Sequence, residues 1–223
     1  MMRLVSFNTN MFRSKMTLVD AVVKLQADVI CMQRVDSQAL HLLDKSRYHW
    51  HFTPSLPTVP TLSHIGLLTM WRKDLFPMVS DMTFATSSPE TEWYQGNTYC
   101  RVDFQDHTVI NSLVAGYEQD RSCWVSQVNE VMQHAGLDRS IIVGDFHLED
   151  RHPLWHEIAR HGHTNHAGHI NAFRDQGRHL CSLTKIFARQ IDMHSVTHAI
   201  DPLPWNEWQD IFTHWPVGAT YDL

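Results

Sequence analysis

The chain has 223 residues, 43% of them hydrophobic and 19% charged, with a formal net charge of −6 when histidine is neutral. That length suits a single domain spanning 1–223 with a substantial core. The acidic balance argues against a protein that coats nucleic acid by neutralising phosphates alone, and no apolar run is long enough to span a bilayer.

The opening Met-Met-Arg-Leu-Val-Ser-Phe-Asn lacks the pattern of a signal peptide, so a cytoplasmic protein with no membrane partner is expected. Cys31, Cys100, Cys123 and Cys181 are far apart and read as reduced core thiols. The 17 histidines imply a sharp change of net charge in mild acid.

In chain order, Leu4–Asn8 and Asp28–Gln33 read as strands. Between them Thr17–Gln26 reads as a helix with Leu18, Val22 and Leu25 on one face. His49, Trp50 and His51 alternate across a strand edge. Thr53–Ser63, with three prolines, reads as an extended loop, and Ser87–Gly96 as a second loop. Further strands are expected at Ile65–Trp71, Thr98–Phe104, Thr108–Val114, Ser140–Gly144, Gln190–Val196 and Val217–Tyr221. Arg121–Ala135 is the clearest helix: Trp124, Val128, Val131, Met132 and Ala135 form an apolar stripe that ends at Gly136. A shorter helix is expected over Pro153–Arg160. Many short strands with few helices suit an α/β four-layered sandwich, two mixed β-sheets packed face to face with helices outside.

Several polar residues fall at strand ends, where a sheet can aim them into one cleft. Asn8 ends the first strand, Asp145 follows Ile-Ile-Val-Gly, Asp192 lies in Gln-Ile-Asp-Met, and His214 precedes the last strand. Such a set suits phosphodiester hydrolysis, with a carboxylate to orient water and Asn and His to stabilise phosphoryl charge. A divalent ion normally neutralises the rest.

The wording of the segments adds to this. Leu4-Val5-Ser6-Phe7-Asn8-Thr9-Asn10, Ala27-Asp28-Val29-Ile30-Cys31-Met32-Gln33, Ile142-Val143-Gly144-Asp145-Phe146, Gln190-Ile191-Asp192-Met193 and His214-Trp215-Pro216-Val217 fall in order along the chain. Together they resemble the exonuclease–endonuclease–phosphatase (deoxyribonuclease-like) superfamily. The resemblance implies the sandwich fold, a nuclease or phosphatase chemistry and, if the protein is catalytically active, magnesium or manganese as cofactor, otherwise none. It also implies Asn8, Asp145, Asp192 and His214 as catalytic residues.

The departures fall on the chemistry. Where the family has a metal-binding glutamate after Met32-Gln33, this chain has Arg34. A guanidinium repels a divalent ion, yet it can hold a phosphate in bidentate fashion. His147 replaces the asparagine of Gly-Asp-Phe-Asn, Thr213 replaces the aspartate beside the histidine, and Leu113 stands in place of a family histidine. Arg34, His147 and Asn10 are therefore candidate phosphate ligands. Asp36, on the side of Arg34 by period-two alternation, is a candidate displaced metal ligand together with Asp145. Asp210 could stand in for the lost orienting aspartate, and His147 could ligate manganese or zinc. The bland alternative has Arg34 pairing with Asp145 or Asp192 in a vestigial cleft.

The His161–His169 stretch carries four histidines among glycines and reads as a polar loop in preference to a zinc site. Trp205 and Trp208 are candidate substrate-wall aromatics; Trp93 and Tyr94 could stack on a base but read first as packing. Arg101 and Arg121 read as solvated charge that could reach phosphates.

Two functions follow. The favoured reading is a non-catalytic, nuclease-like protein that binds nucleic acid, another phosphodiester or a protein partner. The alternative is an active divalent-metal-dependent phosphodiesterase with a rebuilt ligand set.

Overall fold

The computed structural model describes residues 1–9, 22–43, 45–54, 64–76, 79, 81–87, 97–114, 121–136, 139–147, 155–166, 173–175, 178–181, 184–198 and 216–222. Fourteen strands run in chain order as β1 (Met2–Asn8), β2 (Val29–Asp36), β3 (Tyr48–Pro54), β4 (Ile65–Arg72), β5 (Asp81–Ser87), β6 (Asn97–Asp103), β7 (Thr108–Leu113), β8 (Ser140–Asp145), β9 (Thr164–Asn165), β10 (Phe173–Asp175), β11 (Arg178–Cys181), β12 (Thr184–Arg189), β13 (Met193–His198) and β14 (Val217–Tyr221). Among the described residues α1 (Arg121–Ala135), α2 (Trp155–Arg160) and a short 3₁₀ turn at Ser37–Leu42 join them.

The strands build two six-stranded sheets, ordered β13-β14-β1-β2-β4-β3 and β5-β6-β7-β8-β12-β9, plus the small β10-β11 hairpin. Each large sheet is mixed, with one parallel pair near its centre: β1 with β2, and β7 with β8. A parallel pair needs a crossover, and α1 supplies it between β7 and β8. Its stripe packs Trp124, Val128, Val131, Met132 and Ala135 against Ile110, Ile142 and Phe187. On the outer face of the first sheet, residues 22–25 are helical and bury Val22 and Leu25 against Val5, Phe7 and Ile30. Leu4, Val29, Val109, Ile141 and Ile186 meet between the sheets. The molecule is thus the expected four-layered sandwich.

The expected strands over 28–33, 65–71, 98–104, 108–114, 140–144 and 217–221 and the helix over 121–135 all form, with ends moved by up to three residues. Five strands have no counterpart in the sequence reading: β5, β12, the two-residue β9 and the short β10 and β11. β12 reads Thr-Lys-Ile-Phe-Ala-Arg, and its two charges hid a strand that is buried on both faces. The stretch expected as a strand at 190–196 is broken. Gln190 adopts a left-handed φ of 54°, and β13 begins only at Met193. Most of the expected 17–26 helix and the two expected loops lie outside the described residues.

The space between the sheets changes character along the strands. Inward-facing positions alternate Leu4, Ser6, Asn8 on β1; Val29, Cys31, Gln33 on β2; Ile141, Val143, Asp145 on β8; and Ala188, Ile186, Thr184 on β12. Each strand is apolar at one end and polar at the other, and the polar ends coincide. Registers of Asn8 with Gln33 and of Asp145 with Leu113 and Thr184 align them at one pole, called here the site pole.

Candidate functional site

At the site pole the two sheets are joined by a hydrogen bond. Asn8 Nδ2 donates to Asp145 Oδ2 at 2.7 Å, and neither residue is exposed to solvent. Asp145 Oδ1 accepts from the amide N–H of His147 at 3.1 Å, and the His147 ring lies 3.4 Å from the same oxygen through Nδ1. His147 Nδ1 also reaches the Val114 carbonyl at 2.8 Å, which requires a proton on that nitrogen because a carbonyl only accepts. His147 holds this position with a left-handed φ of 47°.

Directly beneath lies a neutral polar layer. Gln33 Nε2 donates to Asn111 Oδ1 at 2.8 Å and Ser6 Oγ at 3.1 Å. Asn111 Nδ2 in turn reaches Thr69 Oγ1 and the carbonyls of Met32 and Leu68 within 3.3 Å. Gln33 Oε1 is buried and has no hydrogen-bond partner among the described residues. Buried amides of this kind cost stability unless they are paired, so the layer fixes the register of both sheets below the site.

Arg34 sits on a bulge. The β2–β4 register shifts between Met32 and Val35, and Arg34 takes a left-handed φ of 56°. Its freed carbonyl accepts from Thr9 Oγ1 at 2.7 Å, while Thr9 N–H reaches the Gln33 carbonyl at 2.9 Å. Arg34 Nε is buried with no hydrogen-bond partner, and none of the ion pairs among the described residues includes this guanidinium.

The bulge corrects the period-two argument for Asp36. Val35 joins the same outer cluster as Ile30 and Met32, so the alternation flips across Arg34. The Asp36 carboxylate caps the 3₁₀ turn instead, accepting from Gln38 N–H at 2.8 Å. Asp192 is not brought to the cluster. It is exposed, its carbonyl accepts from Asp222 N–H, and Met193 pairs with Tyr221, itself opposite Met2 at the start of β1. At about 3.3 Å per residue, the far end of β1 lies roughly 20 Å from Asn8. Arg34 therefore pairs with neither Asp145 nor Asp192. His214, Asn10, Thr213, Asp210, Trp93, Tyr94, Trp205 and Trp208 lie outside the described residues.

The structure adds residues that sequence reading passed over. Thr184, opposite Asp145 in β12, is fully buried on the inward face; Leu113, already singled out in the sequence, flanks Asp145 from β7. Lys185 is fully buried on the outer face, its Nζ 5.1 Å from the centre of the Trp155 ring. The switch from apolar to polar at every second position was the available signal for Gln33, Asn111 and Thr184.

Magnesium prefers an octahedral shell of oxygen ligands at close range. Among the described residues the cluster offers one carboxylate, already engaged by Asn8 and His147, and Arg34 follows Gln33 at the same pole. No group of three or more metal-ligating side chains occurs among them. The described residues do not fit a divalent ion. In the expected His-rich loop, His163 is buried and bonded to Ser140 Oγ at 2.9 Å, which makes it a packing residue.

The opposite pole holds a cavity of about 460 Å³ lined by Arg101, Asp103, His107, Arg139 and Gln190. Arg101 Nε meets Asp103 at 2.8 Å, Arg139 lies 3.9 Å from Asp106, and His107 Nδ1 is hydrogen-bonded to Asp106 at 2.9 Å. Burial pushes the Cys31 thiol up and that of Cys100 up to about 11, so both are unreactive core thiols.

Neither a family model nor a curated protein sequence matches the chain. Solved structures do. An endonuclease/exonuclease/phosphatase structure from Bacteroides vulgatus superposes with a TM-score of 0.73 at 15% identity, covering 100% of this chain and 98% of that one. TDP2 of D. rerio, complexed with a single-strand DNA product, gives 0.67 at 15% identity over 100% and 99%. The 3′ phosphatase NExo from Neisseria, bound to a product DNA hairpin, gives 0.71 at 13% identity over 100% of both chains. With this sheet order and these neighbours, the chain has the fold of the endonuclease/exonuclease/phosphatase structures.

Proposed function

We propose that this protein binds a phosphodiester of a nucleic acid at the site pole and does not cut it. The observation that carries the reading is Arg34, a guanidinium on a strained bulge with a buried, unpartnered Nε and no ion pair among the described residues. A cation held this way lacks a counter-charge among the described residues, and phosphate is the anion whose geometry its fork matches. Backbone strain of this sort concentrates at functional sites. The two structural neighbours with bound DNA support nucleic acid as the ligand class. Asn8 and Asp145 brace the site, and His147 lines it. Asn10 and His214 belong to it on the resemblance of their segments.

A second reading, an active phosphodiesterase, draws support from the contact of His147 with Asp145, because a carboxylate behind an imidazole is a common way to orient a base. One experiment separates the two. Single- and double-stranded DNA and RNA are titrated by fluorescence anisotropy while cleavage is followed on gels, with wild type beside Arg34→Ala and Asp145→Ala. Binding without cleavage, weakened about tenfold or more in Arg34→Ala, is expected. Cleavage that vanishes in Asp145→Ala would replace this reading with the second.

A further inference from the structure

Beyond what backbone N–H groups supply, the positive charge that a phosphate meets in a protein cleft comes from a bound metal ion or from a fixed side chain. At the site pole the described residues carry the second arrangement. Asp145 is fully buried, with Oδ2 taken by the Asn8 amide and Oδ1 by the His147 N–H, so the one carboxylate of the cluster is spent on protein donors. The layer below it, Ser6, Gln33, Asn111 and Thr69, is neutral and bonded largely within itself. Arg34 stands where the resemblance puts a metal-binding glutamate. A glutamate loaded with a divalent ion and a bare guanidinium carry the same net single positive charge. The same formal charge is therefore available to a phosphate with no ion bound.

We propose that Arg34 is the resident cation of this site, so that the chain binds phosphate groups without a divalent metal. The inference rests on the phosphate-binding reading above and adds to it independence from metal. The bulge supports it geometrically. Thr9 ties down the Arg34 carbonyl and the Gln33 carbonyl together, which fixes the backbone from which the side chain departs.

The test uses the full chain and a fluorescent 5′-phosphorylated single-stranded oligonucleotide, titrated in EDTA and again in millimolar magnesium. Manganese binding is followed separately by water-proton relaxation, with no nucleic acid present. Wild type is expected to bind the oligonucleotide equally, within about twofold, in both buffers, and to show no manganese bound at the cluster. Arg34→Lys keeps part of the affinity. Arg34→Glu loses it in EDTA, gains manganese binding that a further Asp145→Ala removes, and recovers oligonucleotide binding when the ion is added. Circular dichroism confirms that each variant is folded.

Wild-type binding that disappears in EDTA and returns with magnesium would overturn metal independence while leaving the phosphate reading intact. Manganese bound by wild type and lost in Asp145→Ala would overturn it as well. Absence of oligonucleotide binding in both buffers would sink the phosphate reading itself, and this inference with it.

Discussion

Two residues hold the site pole in shape through single atoms. Thr9 Oγ1 satisfies the carbonyl that Arg34 withdraws from the β2 ladder. Thr9→Val keeps the volume and removes the hydroxyl, and leaving that carbonyl unsatisfied costs about 1–3 kcal/mol. The expected result is a lower urea midpoint with an unchanged slope and weaker oligonucleotide binding, both restored in Thr9→Ser. Gly144 is the second such residue. Its φ is 151°, and a Cβ there would lie 1.8 Å from the Ser112 carbonyl oxygen. The close approach of β7 to β8 requires the glycine, and through it the aim of Asp145. Gly144→Ala is expected to destabilise on the order of 3 kcal/mol, measured by thermal or urea unfolding. An alanine variant as stable as wild type would show that the parallel pair can part without loss.

At the scale of elements, α1 does more than cover the second sheet. Trp124, nearly fully buried in its stripe, donates Nε1–H to the Phe146 carbonyl at 2.7 Å. That bond anchors the segment that turns from β8 through Asp145 to the left-handed His147. Trp124→Phe preserves most of the apolar burial and leaves the Phe146 carbonyl without this donor, at a cost of about 1–3 kcal/mol. Unfolding by urea should report the loss. The helix itself was legible from its 3.6-residue period, because only one face of it is buried. β12 was not legible, since a strand buried on both faces and carrying Lys185 and Arg189 shows no clean alternation. Its absence from the sequence reading shifted attention to Asp192, whose segment begins the next strand at the wrong pole.

Across the whole molecule, histidine burial sets the response to acid. Burial lowers the His163 pKa to about 4, and burial also holds His107 below its ordinary value despite its contact with Asp106. Well above the ordinary histidine pKa of about 6.5 these groups are neutral in both folded and unfolded chains and contribute no pH dependence. As pH falls below that value the unfolded chain takes up protons that the native state refuses, so stability drops, for His163 down to about pH 4. Each such group contributes a slope of up to about 1.4 kcal/mol per pH unit within its window. Urea midpoints measured from pH 7.5 to 5 should fall with acid, and His163→Gln should flatten the fall. A midpoint independent of pH over that range would contradict the burial of both rings.

The sequence by itself determined the layer architecture, because strand and helix periods follow from which faces meet the core. It also determined that Asn8 and Asp145 end strands and that Arg34 and His147 stand at unusual positions in the family pattern. Only the tertiary structure decided which of these residues meet. Strand register brought Asn8 of one sheet against Asp145 of the other, and the sheet order carried Asp192 to the far end. A single inserted residue at Arg34 reversed the side on which Asp36 falls. Periodicity encodes the face a residue occupies, whereas proximity depends on pairing between segments more than a hundred residues apart, and no local pattern specifies it.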